Sequence, residues 1–75
     1  MEVMDMAEVT MPMNGKVINI LVNVGDAVQE DAELVVIEAM KMELPVVATT
    51  NGTVTEIKAK VGESYQVDDV LVVIG

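Results

Sequence analysis

Residues 34–47 read Leu34-Val35-Val36-Ile37-Glu38-Ala39-Met40-Lys41-Met42-Glu43-Leu44-Pro45-Val46-Val47. Strong β-formers enter the stretch from Leu34 to Ile37, and others leave it from Leu44 to Val47. A reversal between two strands is therefore predicted near Lys41. A two-residue hairpin turn favours Asn-Gly, Asp-Gly or a glycine, because φ must be positive there. Met40-Lys41 offers none of these. A sequence that breaks a local rule at one point and obeys it elsewhere marks that point as a candidate functional site.

Outward from this stretch, the chain is written twice. Shifted by 37 residues, positions 9–38 fall on 46–75 without a gap, and 13 of the 30 aligned residues are identical. Val9 meets Val46, Asn14-Gly15 meets Asn51-Gly52, and Val17, Ile20, Val24 and Gly25 meet Val54, Ile57, Val61 and Gly62. Gln29 and Asp31 meet Gln66 and Asp68, and Leu34-Val35-Val36-Ile37 meets Leu71-Val72-Val73-Ile74. Two copies of about 30 residues are each too short to bury a core alone, so they should pack on one another. Each copy reads as a short strand, an Asn-Gly turn, a longer strand, a Gly-acid turn, a short strand and an apolar strand. Along the longer strand, Ile18, Ile20, Val22 and Val24 share one face, opposite Asn19, Leu21 and Asn23. Gly25 and Gly62 are expected to supply positive φ in turns. They lack the spacing and the following Lys-Ser/Thr of a phosphate loop.

The expected fold is all-β: a flattened eight-stranded barrel of two four-stranded halves related by a pseudo-twofold axis. Residues 1–8 read as an N-terminal extension and 9–75 as the domain. Lys41 falls in the seam between the copies. It should project from the end opposite the chain termini, with any linker or subunit leaving from the far side.

Composition narrows the chemistry. The 75 residues contain no cysteine and no histidine. Disulfides, thiolate or imidazole zinc sites and a serine–histidine pair are all excluded. Chemistry must come from an attached group or a partner. Tyr65 is the only aromatic residue, and valine dominates the apolar set. A formal charge of −9 argues against nucleic acid and anionic membrane surfaces, which want lysine and arginine. The acids are scattered, as a solubilising surface requires. No apolar run approaches the roughly 20 residues of a membrane span. The acidic start Met1-Glu2-Val3-Met4-Asp5-Met6 lacks the basic region of a secretory signal, and a cytoplasmic location is expected.

A lone lysine on a hairpin is ordinarily a solvated charge or a guard against edge pairing. Flanking methionines are ordinarily gap-fillers of the core. Here Met40, Lys41 and Met42 cannot all point inward at a tight turn. At least one methionine should be exposed, as a surface read by another protein would be.

Glu38-Ala39-Met40-Lys41-Met42-Glu43 resembles the attachment motif of biotinyl domains, the biotin carboxyl carriers. The resemblance covers residues 9–75. It includes Met11-Pro12-Met13-Asn14-Gly15, Val24-Gly25-Asp26 and the tandem halves. It implies biotin in amide linkage on Lys41, with the flexible lysine stem as a swinging arm. The amine must attack an activated biotinyl-adenylate in a biotin protein ligase. The resemblance further implies that Met40 and Met42, with Ala39, Glu38 and Glu43, form the surface read by the ligase and the catalytic partners. Those partners are a biotin carboxylase and a carboxyltransferase or decarboxylase. The chain itself is then a carrier and not a catalyst.

A lipoyl carrier of a 2-oxo acid dehydrogenase or glycine cleavage system shares the fold and is the rival reading. Lipoyl domains usually place an acidic residue where Met40 stands. An unmodified structural adaptor is a third reading. The equal length of the two repeats leaves no room for the inserted thumb of some bacterial acetyl-CoA carboxylase carriers, so the resemblance is to the thumbless kind.

Overall fold

The computed structural model describes residues 6–75. Eight strands follow in order: β1 (Ala7–Thr10), β2 (Gly15–Ile20), β3 (Ala27–Val28), β4 (Glu33–Ala39), β5 (Met42–Val47), β6 (Gly52–Ile57), β7 (Ser64–Tyr65) and β8 (Val70–Ile74). They form two four-stranded sheets, β1-β8-β6-β3 and β5-β4-β2-β7. The expected all-β architecture of eight strands is present. Of the expected extension 1–8, residues 1–5 lie outside the described residues, and Ala7 and Glu8 belong to β1.

A shift of 37 residues carries each sheet onto the other, strand for strand. Each sheet therefore takes two strands from each repeat. The copies are interleaved, and all pairing is antiparallel. The hydrogen bonds between copies come in reciprocal pairs. Gly25 N–H donates to the Val54 carbonyl and Gly62 N–H to the Val17 carbonyl, both at 2.7 Å. Asp31 N–H donates to Ala48 and Asp68 N–H to Met11, both at 2.9 Å. Neither repeat satisfies its own backbone, so neither can hold this shape alone.

The core lies between the sheets. Val17, Leu34, Val35, Ile37, Leu71 and Val72 are wholly buried, with Met11 and Ile74 beside them. Among the described residues no polar or charged side chain is buried. β-Branched residues suit this thin core, because few χ1 states are lost on packing against a pleated sheet.

Two details differ from the sequence expectations. Straight alternation along the longer strand predicts Ile18, Ile20, Val22 and Val24 on one buried face. Val17 is instead the wholly buried residue, and Val24 is 62% exposed. A β-bulge between Val17 and Asn19 resets the alternation, as extra residues in one strand do. The same bulge recurs between Val54 and Glu56. Asn19, Leu21 and Asn23 do face solvent.

The Asn-Gly pairs are not hairpin turns. β1 pairs with β8 and β2 with β4 and β7, so Asn14-Gly15 links strands of different sheets. The residues with positive φ are Gly25, Gly62, Asp31, Asp68, Met40 and Lys41. Gly15 and Gly52 are required for close approach instead. A Cβ on Gly15 would stand 2.7 Å from the Glu38 carbonyl oxygen, and one on Gly52 would stand 2.6 Å from Ile74 Cγ2. Asn14 Oδ1 accepts from Val67 N–H at 2.8 Å, and Asn51 Oδ1 from Glu30 N–H at 2.6 Å. Each asparagine thus ties its own copy to the other.

Gly25 and Gly62 do have the expected positive φ, 97° and 92°. Asp31 and Asp68 add a second matched pair, at 72° and 73°. Each is the third residue of a turn closed by an i+3 to i hydrogen bond, Ala32 to Gln29 and Asp69 to Gln66. That position needs φ above zero, and aspartate is among the side chains that tolerate it.

Candidate functional site

β4 and β5 form a continuous hairpin. Ile37 faces Leu44, Glu38 faces Glu43, and Ala39 faces Met42. Only Met40 and Lys41 remain to make the connection. Their φ values are 53° and 65°, both left-handed, as a type I′ turn demands. The right-handed twist of the flanking strands imposes that hand, and the residues supplied are poor for it. An L-residue in this region costs roughly 1–2 kcal/mol. The hairpin below is rigid enough to hold it, because Ile37 and Ala39 are buried.

Above Ala39 there is nothing left to pack against. Met40 is 85% exposed and Met42 60%, and Lys41 between them is exposed. The expectation of at least one exposed methionine is exceeded. Glu38 and Glu43 are exposed directly opposite each other. Lys16 on β2 faces Glu38, and Ser64 on β7 faces Lys16. A row Glu43, Glu38, Lys16, Ser64 therefore crosses the outer surface of the sheet just below the tip.

Lys41 stands at the end opposite Gly75. Gly15 packs against Ala39 at the hairpin. From there the chain runs along β2 to Gly25, which bonds to Val54, and Thr53 beside it exchanges hydrogen bonds with Gly75 at 2.9 and 3.2 Å. The tip is thus away from Gly75, and Lys41 supplies the one side-chain amine of the hairpin. This arrangement fits a group attached through an amide. The lysine can enter another protein's active site without unfolding any strand. Among the described residues no group of three or more carboxylates could hold a metal ion. Among the described residues no helix is long and apolar enough to cross a membrane.

Sequence reasoning missed a groove beside the tip. It has a volume of about 510 Å³ and is lined by Gly15, Lys16, Glu38, Met40, Ser64 and Tyr65 among others. The repeat does not single it out: Lys16, Ser64 and Tyr65 fall on Thr53, Ala27 and Val28, but most of the 30 aligned positions differ in the same way.

The chain is thus a duplicated barrel with an exposed lysine in the turn of its tip hairpin. The model of the family described as "Biotin-requiring enzyme", the biotin/lipoyl family, matches residues 7–74, and the chain belongs to that family. A biotin carboxyl carrier protein of Streptococcus mutans is 54% identical over 37 residues, 49% of this chain and 28% of that protein. The crystal structure of the Kluyveromyces lactis urea carboxylase superposes with a TM-score of 0.91 and 31% identity, covering 100% of this chain and 7% of that one. A single-chain, multi-domain long-chain acyl-CoA carboxylase gives a TM-score of 0.85 at 24% identity, covering 97% of this chain and 8% of that one, and shares the fold. The chain therefore spans less than a third of each of these relatives.

Proposed function

We propose that this chain is a biotin carboxyl carrier, with biotin in amide linkage on Lys41. The observation that carries the reading is the tip itself. A lysine occupies a left-handed two-residue turn, between two exposed methionines, in a domain of the biotin/lipoyl family. When attached, biotin supplies a ring nitrogen that accepts and releases a carboxyl group. Lys41 anchors it, and its stem gives the reach of a swinging arm. Ala39 fixes the root of the turn by burial. Met40 and Met42 present adaptable apolar surface to each protein that must hold the tip, and Glu38 and Glu43 give that surface its charge.

The partners on this reading are a biotin protein ligase, a biotin carboxylase and a carboxyltransferase or decarboxylase. The chain moves the carboxyl group and the partners do the chemistry, in sites that limit its loss to water. The Streptococcus relative supports the carrier role, and the urea carboxylase likeness supports a carboxylase setting. The lipoyl alternative is not favoured, because Met40 stands where lipoyl domains usually carry an acid.

Mass spectrometry after co-expression with a biotin ligase tests the proposal. One biotin should add to the wild-type chain and none to Lys41→Ala. No gain in the wild type, or a gain on Lys16, Lys58 or Lys60, sinks it.

A further inference from the structure

The internal duplication provides a control for the groove beside the tip. Its lining residues divide in two. Asn14, Gly15 and Gln66 are identical to their counterparts Asn51, Gly52 and Gln29. The asparagines and glycines have matched structural tasks, capping the other copy and permitting close approach. Lys16, Ser64 and Tyr65 differ from Thr53, Ala27 and Val28. Yet the backbone pairing is the same at both ends. Gly15 faces Tyr65 and Lys16 faces Ser64, while Gly52 faces Val28 and Thr53 faces Ala27. The same pairing thus carries Thr53, Ala27 and Val28 at one end and the larger Lys16, Ser64 and Tyr65 at the lysine end.

Tyr65 is the chain's one aromatic residue and is held at both ends of its side chain. β7 fixes its backbone, and its hydroxyl accepts from Lys60 N–H at 2.9 Å and reaches Glu63 Oε1 at 3.4 Å. Tyr65 is also partly buried against the core. Both Tyr65 and Met40 line the groove, and Met40 immediately precedes Lys41.

We propose that this groove is a resting site for the bicyclic ring of biotin carried on Lys41, walled by Tyr65 and Met40 and rimmed by Lys16 and Ser64. The inference rests on the carrier reading above. The ring system is neutral, with a thioether-containing apolar part and a urea edge. Tyr65 and Met40 offer aromatic and thioether surface. Lys16 and Ser64 offer donors to the urea oxygen, and Glu38 offers an acceptor to its N–H groups. A short flexible tether gives an effective concentration on the order of millimolar. A site of only millimolar intrinsic affinity is therefore about half filled, while the ring stays free to leave for a partner.

The test uses the ¹⁵N-labelled 75-residue chain in three forms: unmodified, Nε-acetylated on Lys41, and biotinylated on Lys41. Acetylation removes the charge without adding a ring. The expected result is amide shifts at Lys16, Ser64 and Tyr65 in the biotinyl form alone, with NOEs between biotin ring protons and the Tyr65 ring. Tyr65→Val installs the residue type found at position 28 and should abolish the difference between the biotinyl and acetyl forms of that variant at the Ser64 and Lys16 amides. Wild-type NOEs decide the matter independently of how that variant folds. Shifts confined to residues 39–43 in both modified forms overturn the resting site, as do Ser64 shifts that survive in Tyr65→Val. Intact mass reads attachment separately. A chain that gains no biotin overturns the carrier reading, whereas full biotinylation with silent Ser64 and Tyr65 amides overturns the resting site alone.

Discussion

At one end of the molecule β4 and β5 pair Ile37 with Leu44 and Val35 with Val46, then close through Met40-Lys41. At the other end β8 and β1 pair Ile74 with Ala7 and Val72 with Val9, in the same register with the same irregularity, and no turn joins them. The paired strands are one design used twice. What differs lies beyond the last shared pair: a strained turn, two bare methionines, a lysine and an acidic cross-strand pair. The fold accounts for everything up to Ile37 and Ile74. The features above Ile37 are supernumerary to it, and they are where function is to be sought.

The strongest way to break this comparison is to damage both copies of the core alike. Leu34→Ala and Leu71→Ala each delete a wholly buried side chain at equivalent positions. Each should cost about 2–5 kcal/mol, and denaturant unfolding should give nearly equal losses. Markedly unequal values would show that one copy dominates stability.

Next in size is the floor of the hairpin end. Gly15→Ala would force a Cβ against the Glu38 carbonyl oxygen. Overpacking of this kind costs about 1–3 kcal/mol. Gly52→Ala meets the Cγ2 methyl of the buried, β-branched Ile74, which has little room to yield. Both variants should therefore have lower midpoints than the wild type.

The turn works in the opposite direction. Met40→Asn with Lys41→Gly suits the left-handed geometry and should stabilise by on the order of 1 kcal/mol. Chemical denaturation should show the gain, and ligase treatment should show no biotin uptake. A double variant no more stable than wild type would mean that the tip is not strained.

Smallest is the charge pair. Like charges directly opposite on a sheet are unfavourable, and an opposite-charge pair is worth about 0.2–1 kcal/mol. Glu43→Lys should therefore stabilise slightly, less so in high salt. The same change should slow biotinylation if the ligase reads the acids, and an unaltered rate would assign them to solvation.

The eight strands, their order and the exposed lysine turn were legible from the repeat and from Met40-Lys41. Gly25 and Gly62 were legible as turns because glycine has one strong reason to stand before an acid between strands. Asn14-Gly15 was misread for a related reason. The dipeptide suits a hairpin turn, but here asparagine caps the other copy and glycine permits close approach. Nothing in the dipeptide distinguishes those uses. The bulge after Val17 was invisible because alternation continues on either side of it. The groove was overlooked because Lys16, Ser64 and Tyr65 lie far apart in the chain from Met40, and most positions of the two repeats differ as they do.

By itself the sequence determined what each segment is. β-Branched runs make strands, the repeat makes two equal units, and a lysine in a turn that neither glycine nor asparagine fills marks a candidate site. Tertiary structure alone decided which strand pairs with which. The apolar tetrads Leu34–Ile37 and Leu71–Ile74 are identical, so no local preference can choose between pairing within a copy and pairing across copies. Interleaving satisfies the backbone of both halves at once, through the reciprocal bonds of Gly25 and Gly62. That closure places β7 of the second copy on β2, one strand away from the hairpin of the seam. Tyr65 and Met40 thereby come to line one groove.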